Sequence, residues 1–204
     1  MTPGWPATLR AGRVGLRPIR QRDRAAWLEV RARNRDWLAP WEATPPGRGA
    51  GPAPGVGYGA MVRSLRSQAR AGHLLPFVVT FDDRLVGQLT VGGITWGSLC
   101  SAHIGYWVDQ AVAGRGVMPT AVALAVDHCF TALGLHRVEI NIRPENTASL
   151  RVVDKLGFRD EGVRLGLLHI DGAWRDHRSF ALTAEEVPDG LLARWRASGG
   201  LPEG

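Results

Sequence analysis

The stretch "VDQAVAGRGVMPTAVALAVDHCF", Val108 to Phe130, sets two glycines, Gly114 and Gly116, between an apolar run and a helix-like run. Glycines at that spacing let backbone amides converge on a negative group without interference from a Cβ. Pro119 stands near the first turn of the helix, where its missing N–H sacrifices no bond. The amides of Gly116, Val117 and Met118 would face an anion at a helix N-terminus, where the dipole favours negative charge. Arg115 can add a charged contact. Two anion-binding loops are excluded. The dinucleotide fingerprint needs a third glycine and an early position in the chain. The nucleotide-hydrolase loop needs a lysine followed by Ser or Thr. Alone, the glycine pair also fits an ordinary loop before a helix.

A second segment with chemical potential is "RPENTASLRVVDKLGF", Arg143 to Phe158. Asn146 can cap a helix, and Ser149 lies in its first turn. The strand "HRVEINIR" puts Val138, Ile140 and Ile142 on one face and Arg137, Glu139 and Asn141 on the other. A third is "RDWLAPWE", with Trp37, Trp41 and Glu42. It reads either as a loop packed by aromatics or as a wall of a binding groove. Tyr106 and Trp107 lie in the apolar run before the glycines. No His/Cys/Asp cluster has metal-ligand spacing, so no metal is expected.

The elements that must position these residues alternate along the chain. "VGLRPIR" reads as a first strand. Asp23 can cap a helix running to about Asn34, with Trp27, Leu28 and Ala32 inward. Met61 to Arg70 is a second helix. "LPFVVTF" and "RLVGQLTVGGI" are strands joined at Asp82-Asp83, and "SAHIGYWVD" is another. A helix from Val117 to about Leu133 follows, then "HRVEINIR", then a short helix Thr147–Leu156 closed by Gly157. "LLHIDGAWRDHRSFALT" reads as a hairpin turned at Asp171-Gly172. A last helix is expected from Ala184 to Ala197, within a C-terminal extension at about 184–204. The pattern gives a mixed α/β sheet in one domain. The Pro/Gly-rich "TPPGRGAGPAPGVGYG", Thr44 to Gly59, reads as a long exposed loop.

With 204 residues, 45% apolar and 22% charged, the composition is that of a folded domain. No apolar run approaches a membrane span, and "MTPGWPATLRAGR" lacks the apolar core of a secretion signal. The expectation is a cytoplasmic protein with Cys100 and Cys129 as buried free thiols. The net charge of +6 suggests acidic partners such as a phosphorylated cofactor or nucleic acid.

Strand, glycine loop, helix, strand and Asn-led helix ending in Gly-Phe resemble the GNAT superfamily of acetyl-CoA-dependent N-acetyltransferases. "LRPIRQRDRAAWLEV", "LAPWE", "IGYWVD", "RPENTASLRVVDKLGF" and "IDGAWRDH" narrow the resemblance to the RimJ/RimL branch of ribosomal-protein N-terminal acetyltransferases. The likeness runs from about Val14 to Thr183. It implies a mostly antiparallel sheet with one splayed parallel pair, here Ala102–Asp109 and His136–Arg143, flanked by helices. It implies acetyl-CoA as donor, held by Trp107, Val108, Ala113, Gly114, Arg115, Gly116, Val117, Met118, Asn146 and Ser149. It puts the acetyl carbonyl against amides near Trp107 and Val108. Trp37, Trp41, Glu42 and Tyr106 would line the acceptor groove. Ala113 stands where the branch usually has Gln or Arg. Val153 stands where many members carry a proton-donating tyrosine, so Ser149 becomes the candidate acid. Glu139, on the strand face opposite Val138 and Ile140, is the candidate base or else a salt-bridged surface glutamate. The implied partner is a protein N-terminus, that of a ribosomal protein or one on the ribosome. Ribosomal RNA contact and a homodimer stay open. Two other functions stay open as well: acetylation of a small amine such as a polyamine or antibiotic, and a non-catalytic ribosome-assembly or RNA-binding role.

Overall fold

Runs of β-branched and apolar residues build eight strands in the computed structural model, which describes residues 4–46 and 57–201. They are β1 (Leu9–Ala11), β2 (Val14–Pro18), β3 (Leu75–Phe81), β4 (Arg84–Thr95), β5 (Ser101–Val108), β6 (Arg137–Ile142), β7 (Arg159–Ile170) and β8 (Ala173–Thr183). The helices are α1 (Arg24–Arg33), α2 (Arg35–Leu38), α3 (Tyr58–Arg70), α4 (Val117–Thr131), α5 (Thr147–Leu156) and α6 (Leu191–Ala197). One sheet runs β1-β2-β3-β4-β5-β6-β8-β7, and β5–β6 is its parallel pair. The hairpin turns have backbone suited to them: Asp82 and Asp83 both take positive φ, as do Asp171 and Gly172.

The sheet is covered on both faces. On one side α4, α5 and α6 bury the larger apolar cluster, which includes Val138, Ile140 and Ile142. On the other, α1 and α3 cover a smaller cluster around Ile19, Tyr58, Val62 and Val78, against which Trp27 and Trp107 pack. α4 is apolar nearly all round, and twelve of its fifteen residues are buried, so the glycine loop before it sits on an immobilised helix. Asp127 of α4 accepts from the amides of Leu191 (2.6 Å) and Leu192 (3.0 Å), capping α6.

Several expected details differ. α1 turns Val30 and Asn34 inward and leaves Leu28 and Ala32 exposed, because its buried line follows Asp23, Trp27, Val30 and Asn34. The last helix is split: a 3₁₀ turn at Ala184–Glu186 precedes α6, since Pro188 and Gly190 (φ 90°) interrupt regular helix between them. β1 was not legible as a strand. Cys129 is buried, but Cys100 is half-buried. Of the expected 44–59 loop, residues 47–56 lie outside the described residues.

A polar knot fastens α1 to the end of β5. The Asn34 amide nitrogen donates to Val30 O (2.8 Å) and Asp109 Oδ1 (2.9 Å), and its Oδ1 accepts from Gln110 N (2.9 Å). Arg33 and Ala111 N also donate to Asp109. Burial pushes the Asp109 carboxyl up, but the bonds from Arg33, Asn34 and Ala111 outweigh it and hold the group below the usual range. Replacing Asn34 with leucine, similar in volume, leaves buried partners unsatisfied. It should cost about 2–3 kcal/mol in urea unfolding; a loss below about 0.5 kcal/mol would contradict this placement.

Candidate active site

The site begins where β5 and β6 part. Their pairing covers only Ser101–His103 against Arg137–Glu139. Beyond it, each strand keeps its outer neighbour: β5 stays paired to β4, and β6 to β8. Strand geometry alternates the direction of backbone groups. The bonds Ile19 N to Pro76 O and Asp109 N to Val86 O fix the phase, turning Gly105 and Trp107 towards β4. The backbone groups of Tyr106 and Val108 therefore face the gap. Ala184 N to His136 O fixes the phase of β6 likewise, so Asn141 and Arg143 face it from the other side. The expected Trp107 amide is thus turned away, and Tyr106 takes its place.

The α4 N-terminus points at this opening. Gly114 (φ 80°) and Gly116 (φ 76°) occupy left-handed backbone that a larger residue adopts only with strain. The helix's first bond runs from Thr120 N to Gly116 O (3.1 Å), so the amides of Gly116, Val117 and Met118 precede it. On the far side, Asn146 caps α5 by accepting from Ser149 N (3.0 Å). The Tyr106 hydroxyl is buried without a hydrogen-bond partner of good geometry among the described residues. Burial pushes its pKa well up, and the nearby Ser149 side chain works against that rise.

A strap closes the front. Arg143 donates to Pro40 O (2.8 Å) and lies over the Trp41 ring at 5.4 Å. Ala43 bridges to Ile170, and Thr44 N donates to His169 O (2.8 Å). Glu42 is ion-paired with Arg31, which stacks on Trp27 and Trp107.

These parts enclose a cavity of about 960 Å³, lined by Trp37, Trp41, Glu42, Tyr106, Trp107, Val108, Ala113, Gly114, Gly116, Val117, Met118, Asn146 and Ser149. A smaller cavity of about 240 Å³ meets it at Trp41, Tyr106, Asn146 and Ser149 and continues to Asn141, Arg143 and His177. Two expected residues are not brought in. Arg115 is exposed and lies over Phe81 at 5.1 Å. Glu139 lies outside both linings, at the closed end of the splay, with its oxygens bound by Arg137 (2.9 Å) and Arg164 (2.8 Å). Sequence reasoning missed Arg31, Arg151, Lys155 and His177, which do line the cavities. The i,i+4 spacing of Arg151 and Lys155 after Ser149 was the available signal for two of them.

The chain matches the family model described as "Acetyltransferase (GNAT) domain" over residues 13–159. It is 30% identical over 183 residues to the [Ribosomal protein uS5]-alanine N-acetyltransferase of Escherichia coli, covering 89% of this chain and 91% of that one. It is 44% identical over 101 residues to Probable N-acetyltransferase YjcK of Bacillus subtilis; this spans 50% of this chain and 56% of the relative. Among solved structures, Mycobacterium smegmatis RimJ in complex with CoA-disulfide superposes with a TM-score of 0.89 at 45% identity, covering 98% of both chains.

The buried, unpaired hydroxyl generates a test. Tyr106→Phe should stabilise the free protein by about 1 kcal/mol in chemical unfolding and lower its turnover. A variant that is less stable and fully active would contradict the geometry.

Proposed function

The chain belongs to the GNAT acetyltransferase family, and we propose that it transfers the acetyl group of acetyl-CoA to the N-terminal α-amine of a protein, foremost an alanine-led ribosomal protein in the cytoplasm. The observation that carries this reading is the meeting of two cavities at Tyr106 and Ser149, across the open end of the splay. The larger runs from the Trp41–Thr44 strap to the glycine loop, and the smaller continues past Trp41 and Ala43 towards His177. The names of the Escherichia coli and Mycobacterium smegmatis relatives support both the donor and the acceptor class.

The residues present fit the donor. Backbone amides at Gly116 to Met118 suit its diphosphate, and Arg151 and Lys155 add positive charge along the same cavity. The edges at Tyr106 and Val108 offer strand-like bonds to the amides of its pantetheine arm. When bound, acetyl-CoA supplies an acyl carbon activated as a thioester. The chain's own groups then orient the donor and supply protons. Ser149, with its amide held by Asn146, is the candidate acid for the departing sulfur, with Tyr106 beside it.

The acceptor side favours a peptide N-terminus over a polycation. Among the described lining residues Glu42 is the sole carboxylate, and Arg31 already pairs with it. The smaller chamber, walled by Ile104, Ile140, Leu168 and Ile170, suits a small apolar first side chain such as alanine's. An α-amine has a pKa of about 7.7–8, so roughly one in ten is neutral at pH 7, against about one in two thousand for lysine. A mild base is enough for such an acceptor.

Incubation with acetyl-CoA and a panel of N-terminal peptides, ribosomal proteins and polyamines, read by mass, should give α-acetylated, alanine-led products. Exclusive modification of polyamines would overturn the reading. Ser149→Ala should lower kcat by about 100-fold; equal kcat would remove Ser149 from the chemistry.

A further inference from the structure

We propose that His177, which lines the smaller cavity, takes the proton the acceptor amine must lose through its Nε2, and so supplies the base that Glu139 does not. The assignment rests on the acetyl-transfer reading above and deepens it. His177 closes the motif "IDGAWRDH" and lies on β8 with only 2% of its surface exposed. Its Nδ1 is 3.0 Å from the Arg175 carbonyl oxygen. A carbonyl only accepts, so Nδ1 carries the hydrogen and Nε2 keeps its lone pair. No residue among those described bonds to that Nε2, and His177 lines the smaller cavity together with Tyr106, Asn141 and Ser149.

The alternatives in that lining are weaker bases. The Asn141 carbonyl oxygen accepts from the Ser179 hydroxyl at 2.6 Å, leaving only amide donors. Burial keeps Tyr106 protonated. The Arg143 guanidinium offers only donors. The charged groups around His177 are Arg143 just after β6, Glu145 before α5, Asp176 on its own strand, and Arg164 of β7, its register partner, which is held by Glu139. Burial pushes the ring's pKa below its usual value. The Arg175 carbonyl pulls it back, Arg143 adds to the fall, and Glu145 and Asp176 oppose it. The net fall leaves the ring neutral at pH 7.

The step balances. An entering α-ammonium gives one proton to His177 Nε2. The neutral nitrogen bonds to the acyl carbon as the carbon–sulfur bond breaks. The nitrogen's second proton is replaced on the leaving sulfur, with the Ser149 and Tyr106 hydroxyls at hand, and His177 returns its proton to solvent. The products are an amide, a thiol and one proton.

The test is kcat/KM for an alanine-led peptide between pH 5.5 and 9, in the native enzyme, His177→Gln and His177→Asn. Asparagine keeps a donor near Nδ1 for the Arg175 carbonyl, and it is the variant scored if H177Q fails to bind coenzyme A. The native profile should level off near or below pH 6.5. The variants should keep rising until the acceptor's own pKa of about 8. At pH 7 they should be down about 100-fold, with the deficit narrowing about tenfold per pH unit towards pH 8. Profiles that stay parallel, or variants equal to native, overturn the role of His177 while leaving acetyl transfer intact. A native enzyme that acetylates neither this peptide nor any other amine overturns the transfer reading and His177 with it.

Discussion

The splay between β5 and β6 is the constraint on which the site depends. A parallel pair would normally continue its bonds to the strand ends, and unpaired backbone inside a protein is costly. Here pairing stops at His103 and Glu139, and the backbone groups of Tyr106, Val108, Asn141 and Arg143 are left facing a gap. Such an edge is an open strand position, suited to a ligand that carries amides of its own.

The gap stays open because each flank is anchored elsewhere. β5 is held by β4 along its length and by the Asn34–Asp109 knot at its end. β6 is held by β8, and by Arg143, which reaches the strap at Pro40 and Trp41. At the closed end Arg137 binds Glu139 and Glu161, and Arg164 binds Glu139. These partly exposed pairs add little stability each, but they link β6 to β7 across β8 where the splay begins. Glu139 therefore has an evident structural occupation, and the chamber's proton chemistry falls to groups farther along β8.

Much of this was legible in the sequence, for physical reasons. Positive-φ turns at Asp82-Asp83 and Asp171-Gly172, the Gly157 helix end and the apolar length of α4 are local signals, and they appear where expected. The glycine pair was readable because left-handed backbone has few residue choices. Side-chain direction was not readable. Arg115 follows its loop outward onto Phe81, and Glu139 is captured by arginines 2 and 25 positions away. The first outcome depends on Phe81, 34 positions back, and the second on Arg164, 25 positions on, as well as on the neighbouring Arg137. α1 was misphased by one position because Leu28 looks more apolar than its place on the helix allows; the buried Asn34 answers instead to Asp109, 75 positions on. His177 entered the sequence reading only as part of a motif, because its meaning depends on a carbonyl two residues away and a cavity formed by distant segments.

The central claim is that main-chain groups of the opened sheet and the α4 N-terminus receive the donor. Amide hydrogen exchange with and without coenzyme A measures this directly. The account requires slowed exchange at 106–108, 114–118 and 141–146 on addition of coenzyme A, with β3 unchanged. Unaltered exchange in those three segments at saturating coenzyme A, or protection confined to another face of the molecule, would contradict it.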